Sequence, residues 1–245
     1  MTTSGTSTFN LDLNNLVEEA FERCGAELRT GYDLRTARRS LNLLTIEWAN
    51  RGINLWTLEQ ITIPLVQGQI TYNLPVDTID LLDQVVRTGT GQNQTDINIS
   101  RISESTYITI PNKNATGRPI QVWINRQSGA TYPDGLIPPG TVVDNPQINV
   151  WPAPDQSNFY TFVAYRLRRI QDAGEGGTRT ADIPFRFLPC LVAGLAYYLS
   201  LKIPGALERS QMLKAEYEQA YQLAADEDRE KAAVRFVPRS SFYYS

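Results

Sequence analysis

Apolar residues recur at intervals of three and four over Leu13, Leu16, Val17, Ala20, Phe21 and Cys24, which predicts one amphipathic helix. Asn10 or Asp12 suits its N-cap, and Gly25 or Gly31 its end. Asp33 is expected to cap a second helix whose stripe is Leu34, Ala37, Leu41, Leu44 and Trp48, stopped by Gly52. Two such helices joined by a short turn predict an antiparallel hairpin over residues 1–57.

From residue 58 to about 171 the period changes to two. Alternating segments around Ile61, Tyr72, Ile97, Tyr107–Ile110, Ile120–Ile124, Ile148 and Tyr160–Tyr165 predict short strands rich in β-branched and aromatic residues. Residues 77–86 fit either a helical turn or a strand. Proline and glycine clusters at 111, 117–119, 133–135, 138–140 and 151–155 separate these segments, as in an antiparallel sandwich or barrel. The glycine-rich stretch from Gly89 to Gln94 reads as a hairpin tip, because no helix follows it to make a phosphate site.

Helical periodicity returns over residues 182–233. Phe185, Leu188, Leu191, Val192, Leu195, Ala196 and Leu199 form a wide apolar face, with Pro189 tolerated only in the first turn, so this helix should begin near Phe187. Small residues Ala193, Gly194 and Ala196 would let another backbone approach closely. A last helix is expected from about Leu207 to Ala233, with Leu213, Tyr217, Ala220, Tyr221 and Ala224 inward. Its charged stretch from Asp226 should face no core and so project or meet another subunit. The pattern as a whole predicts an α+β fold: a helical bundle from the two ends of the chain, an inserted antiparallel β module, and an extended arm over residues 234–245.

Composition narrows the chemistry. The 245 residues include 42% hydrophobic and 20% charged types, with a net charge of −3, so no global field would hold nucleic acid. Histidine is absent, which removes Ser-His-Asp and Cys-His nucleophile arrangements and most zinc sites. Two isolated cysteines, Cys24 and Cys190, sit in helical stripes and read as buried thiols. Neither a cofactor nor a metal is expected, and catalysis is not. Paired-carboxylate chemistry is still open to a chain without histidine, as in a glycoside hydrolase acting on peptidoglycan, with Glu18, Glu19, Asp80, Asp83 and Glu104 available. The β module could also bind carbohydrate or a receptor, with Trp123 and Trp151 as stacking platforms; as strand residues they equally suit a core. The N-terminus has no signal-peptide pattern, and the apolar run between Arg186 and Lys202 is too short for a membrane span, so a soluble chain made in a cytosol is expected.

Two features look outward. Arg35, Arg38 and Arg39 on the second helix, and Arg166, Arg168 and Arg169 after the last strand, are candidate contacts for another subunit or for DNA phosphates. Segment 234–245 has no acidic side chain but carries Arg235, Phe236, Val237, Pro238, Arg239, Phe242, Tyr243 and Tyr244. Phe, Tyr and Arg are typical of binding hot spots, so these eight residues are expected to dock on a partner.

The run from Ala37 to Trp56, the Tyr72–Pro75 stretch, the Trp151–Pro154 turn, the Pro184–Lys202 helix and the Ala224–Glu230 segment, taken in order, resemble the head-to-tail adaptor (tail accessory factor) family of short-tailed phages. The resemblance spans nearly the whole chain. It implies a structural protein of the virion neck, assembled in the host cytoplasm. It further implies a ring, typically of twelve copies, that binds the portal protein above and the tail nozzle or needle below. DNA would pass through the ring without sequence readout, and no membrane would be involved. The family's C-terminal segment reaches along the portal, a role that falls here on residues 234–245. Cell-wall hydrolysis is credited to some relatives, but no carboxylate pair of this sequence aligns to carry it.

Overall fold

The computed structural model describes residues 4–29, 31–126, 130–131, 142–143, 145–174 and 179–229. In chain order its helices are α1 (Leu13–Cys24), α2 (Gly31–Arg51), α3 (Glu104–Ile108), α4 (Leu188–Ser200) and α5 (Ser210–Glu227). The strands are β1 (Leu58–Pro64), β2 (Thr71–Asn73), β3 (Thr78–Thr88), β4 (Thr95–Asn98), β5 (Ser100–Ile102) and β6 (Thr116–Gly117). They continue with β7 (Gln121–Asn125), β8 (Ala130–Thr131), β9 (Val142–Val143), β10 (Gln147–Trp151), β11 (Ala153–Pro154) and β12 (Tyr160–Arg168). The fold is α+β, with helices from both ends of the chain and a β module between them in sequence. Two compact units result: the described residues of Met1–Leu55 with Ala173–Ser245 form the helical one, and those of Trp56–Asp172 form the β one.

In the helical unit α4 is the hub, and α1, α2 and α5 each pack on it. The reason is composition: ten of the thirteen α4 residues are buried, so this helix must be covered on nearly every side. Leu13, Leu16, Val17, Ala20, Phe21 and Cys24 of α1 are all buried, as the stripe predicts. Asp12 caps α1 by accepting from the Asn15 N–H at 2.8 Å, and Gly25 ends it with φ 75°. In α2 the buried residues are Ala37, Ser40, Leu41, Leu44, Thr45 and Trp48. Asp33 lies inside the first turn of α2 rather than capping it; its carboxylate instead accepts from the Arg29 N–H at 3.3 Å. Each large apolar side chain buried here, Leu16 or Leu44 for example, contributes about 1.5–3 kcal/mol.

The close approach at Gly194 is to side chains. A Cβ there would stand 2.9 Å from both Leu44 methyls and from Tyr217 Cε2. Gly194 thus sets how deeply α2 and α5 can seat against α4.

The β unit is a sandwich of two four-stranded sheets, ordered β1-β12-β3-β4 and β2-β10-β7-β5. Leu81, Val86, Phe162 and Ala164 of the first sheet pack with Val122, Ile124, Ile148 and Val150 of the second. The first sheet is antiparallel throughout, with a register shift between Ala164 and Arg166. The second departs from the antiparallel expectation, because β5 pairs with β7 in parallel. Of residues 77–86, those from 78 onward form strand, within β3. The Gly89–Gln94 stretch is the tip of the β3–β4 hairpin; at Gly89, φ is 74° and a Cβ would clash with the Asn93 carbonyl oxygen, so glycine is required.

Two further expectations are corrected. Tyr107–Ile110 is not a strand: α3 occupies Glu104–Ile108 because Ser103 Oγ accepts from the Thr106 N–H at 3.2 Å and Glu104 adds an acid to the first turn. The charged end of α5 is tied to the body at one residue, while Asp226, Glu227 and Arg229 are exposed and residues 230–233 of the expected helix lie outside the described residues. The helix closes at Glu227, and buried Asp228 accepts from the backbone N–H groups of Asn54, at 2.6 Å, and Leu55.

Candidate interaction surfaces

The residues of α2 that do not face α4 make a face of their own. Tyr32, Arg35, Arg39, Leu43 and Ile46 follow one another at intervals of three and four, and all five are exposed. Tyr32 is 65%, Leu43 54% and Ile46 42% exposed, a continuous apolar strip set with two guanidinium groups. Glu27 and Asp33 lie close by, lining the same groove as Tyr32, Arg39 and Leu43. Arg38 is turned aside, half-buried, and its Nε is buried with no hydrogen-bond partner.

This face borders a groove of about 580 Å³ within the helical unit, lined among others by Phe21, Tyr32, Arg39, Leu43, Leu199 and Lys202. Lys202 Nζ donates to Ser40 Oγ at 2.7 Å. Burial, then repulsion from Arg39, holds its ammonium below the ordinary lysine range. Cationic groups from α2 and from the turn after α4 therefore meet at one edge of the groove. Sequence reading named Arg35 and Arg39 but missed Lys202 and the three apolar neighbours. The signal for Tyr32, Leu43 and Ile46 was present, as a second helical stripe opposite the buried one. Lys202 lies 163 positions from Arg39, and only the packing of α4 on α2 joins them.

Arg166 and Arg168 are placed otherwise. Arg166 is 7% exposed and held by Asp77 Oδ1 at 2.6 Å, Glu59 Oε2 at 2.7 Å and Thr78 Oγ1 at 3.1 Å. Arg168 Nε donates to Glu59 Oε1 at 2.8 Å. Within the β unit Arg166 cross-links β1, β12 and the start of β3, and Arg168 links β12 to β1. Arg169 is exposed and pairs with Asp172. Residues 235–239 and 242–244 of the arm lie outside the described residues.

The carboxylates named as hydrolase candidates are exposed or ion-paired. Glu18 is exposed on α1, Glu19 pairs with Arg23 at 3.0 Å, and Asp80 is bound by Arg101 at 2.9 Å and Arg126 at 3.4 Å. Asp83 and Glu104 are exposed. The carboxyl that burial raises above its ordinary range is Asp228, whose oxygens serve the Asn54 and Leu55 N–H groups. Neither tryptophan platform stands open. Trp123 is half-buried beneath Tyr107, ring centres 5.0 Å apart, and Trp151, also half-buried, donates its indole N–H to the Asn112 carbonyl at 3.0 Å.

A polar network ties α2, α4 and α5 together. Arg51 binds Glu47 at 2.9 Å and Glu218 at 2.7 Å, and Glu47 accepts from the hydroxyls of Tyr198 and Tyr217. The Trp48 indole N–H donates to Tyr217 at 3.1 Å. Burial first, with Glu47 adding to it, pushes the phenols of Tyr198 and Tyr217 above their ordinary range. These groups stay protonated and act as fixed donors, a role in positioning helices. No helix among the described residues is long and apolar enough to cross a membrane.

The family model described as SU10 adaptor protein matches residues 12–239 of the chain. No curated protein matches it.

Proposed function

The chain belongs to the SU10 adaptor protein family, a phage head-to-tail adaptor family, and from that membership we propose that it forms a ring between portal and tail nozzle. The family role is structural and belongs to the virion neck. The finer reading is a ring of about twelve copies whose free energy comes from repeated modest interfaces of about 800 Å² per partner. The ring extends the DNA channel and seals the head after packaging. A chain of net charge −3 suits a wall along which a polyanion slides without sticking. No bond is made or broken.

The observation that carries this reading is the breadth of the family match, which runs through both units and into segment 234–239. That segment, with residues 240–245, is proposed to order on the portal, burying Phe236, Phe242, Tyr243 and Tyr244 while Arg235 and Arg239 meet acidic groups. A variant ending at Ala233 tests it. It should keep the far-ultraviolet circular dichroism of the full chain yet add no ring beneath portal particles in electron micrographs, where the full chain adds one. Ring attachment by the truncated chain as complete as by the full one would exclude the arm as the portal anchor.

A further inference from the structure

We infer that copies of this chain join head to tail through a charge-matched contact in which the outer face of α1 on one copy lies antiparallel against the outer face of α2 on the next. The inference rests on the ring reading above and names the two surfaces that would build it.

The exposed face of α1 carries Glu18 and Glu22, four residues apart, and neither has an ion-pair or hydrogen-bond partner through its side chain among the described residues. The exposed face of α2 carries Arg35 and Arg39, also four residues apart and also without such partners. Four residues of α-helix rise about 6 Å, so the two carboxylates and the two guanidinium groups stand at the same spacing. In an antiparallel crossing Glu22 meets Arg35 and Glu18 meets Arg39. The same register sets half-buried Leu11, just before α1, opposite Ile46 and places Asn14 opposite Leu43, with exposed Phe9 beyond Ile46. Phe9 is 77% exposed, so apolar groups are available on both sides of the contact. Exposed ion pairs alone add little, about 0–1 kcal/mol each; here they would fix register and exclude like-charged pairings while the apolar groups supply affinity.

Two complementary faces on different helices can meet in two ways. In an isologous pair both contacts form at once and assembly stops at the dimer; in a heterologous contact each copy leaves one of each face unfilled, and repetition gives a closed ring or an open filament. The ring reading requires the heterologous contact.

Engineered cysteines test this directly, since Cys24 and Cys190 are both buried. Chains bearing Glu22→Cys and chains bearing Arg35→Cys, mixed at low ionic strength and oxidised, should give covalent dimers about tenfold above either variant alone. One chain carrying both substitutions should give a ladder of oligomers. In a second arm, Arg35→Glu with Arg39→Glu should dissociate the wild-type assembly measured by sedimentation, and adding Glu18→Arg with Glu22→Arg should restore it. Equal cross-linking by a single variant, or no restoration in the fourfold variant, overturns the contact. So does loss of duplex-DNA binding in the arginine variants with the assembly unchanged. If wild-type protein assembles and the cross-link fails, only this contact is wrong; if wild-type protein forms no assembly, alone or on portal, the ring reading falls with it.

Discussion

The guanidinium carbon of Arg51 lies 3.5 Å from the centre of the Tyr221 ring, while the Tyr221 hydroxyl donates back to the Arg51 carbonyl at 3.2 Å. One residue at the end of α2 thus holds α5 through its charge and through its backbone. Glu218, one turn before Tyr221, closes the clamp from the other side with two bonds to the same guanidinium.

Arg51→Met should cost the helical unit about 1–3 kcal/mol, because it removes a cation–π contact and leaves Glu47 and Glu218 without their shared cation. Arg51→Lys should recover only part, since an ammonium cannot span both carboxylates as a planar fork does. Urea unfolding followed by circular dichroism checks both; an unchanged midpoint in Arg51→Met would show the clamp to be energetically idle.

Gly194→Ala sets two effects against each other. Helix propensity favours alanine by about 1 kcal/mol, while overpacking costs about 1–3 kcal/mol. The Leu44 methyls can swing away, but Tyr217 is held by Trp48 and Glu47, so the packing cost should win and the melting temperature should fall. Gly194→Val, with two more carbons in the same space, should prevent α4 from seating. A rise in melting temperature for Gly194→Ala would mean that Tyr217 moves freely.

These two sites mark where the sequence could be read and where it could not. Buried stripes on α1, α2, α4 and α5 follow from local spacing, and the cap at Asp12 and the stop at Gly25 from local chemistry. Strand alternation likewise located β7, β10 and β12. Tyr107 was misassigned because alternation alone ignores a cap: the Ser103 hydroxyl holds the Thr106 N–H and commits the segment to a helical turn. Arg166 and Arg39 look alike in sequence, each in a basic cluster, yet one is locked between Asp77 and Glu59 and the other has no side-chain partner among the described residues. Partners 89 and 107 positions away decide the difference, and no local pattern reports them. Asp228 is the same case, a charged residue in a charged run whose acceptors happen to meet two N–H groups at the end of the turn after α2.

The native thiols should be silent. Burial raises Cys24 to about 11 and Cys190 to about 12, and the Cys24 thiol also donates to the Ala196 carbonyl. At pH 8 the folded protein should react with a disulfide reagent about a hundredfold more slowly than the unfolded chain, both from the small thiolate fraction and from restricted access. Two equivalents released rapidly under native conditions would contradict the packing of α1 on α4.

Asp77 and Asp228 should respond to acid in opposite directions. The hydrogen bond from Arg166 holds the Asp77 carboxyl below its ordinary range, so its contribution to the β unit is present above about pH 4 and is lost as pH falls through its lowered value. Half exposure limits that contribution to under about 1 kcal/mol. Burial raises Asp228, so its contribution to the helical unit is full below about pH 4 and declines as pH rises through its raised value. Asp77→Asn should therefore lower β-unit stability at pH 7 and flatten its acid limb. Asp228→Asn should raise helical-unit stability slightly at pH 7, while Asp228→Ala, which removes the acceptor for two N–H groups, should lower it by about 1 kcal/mol. Hydrogen exchange at pH 4 and pH 7, read separately on β12 and α4 amides, distinguishes the two units. The same sign of change for both Asp→Asn variants would overturn the assignment of opposite causes.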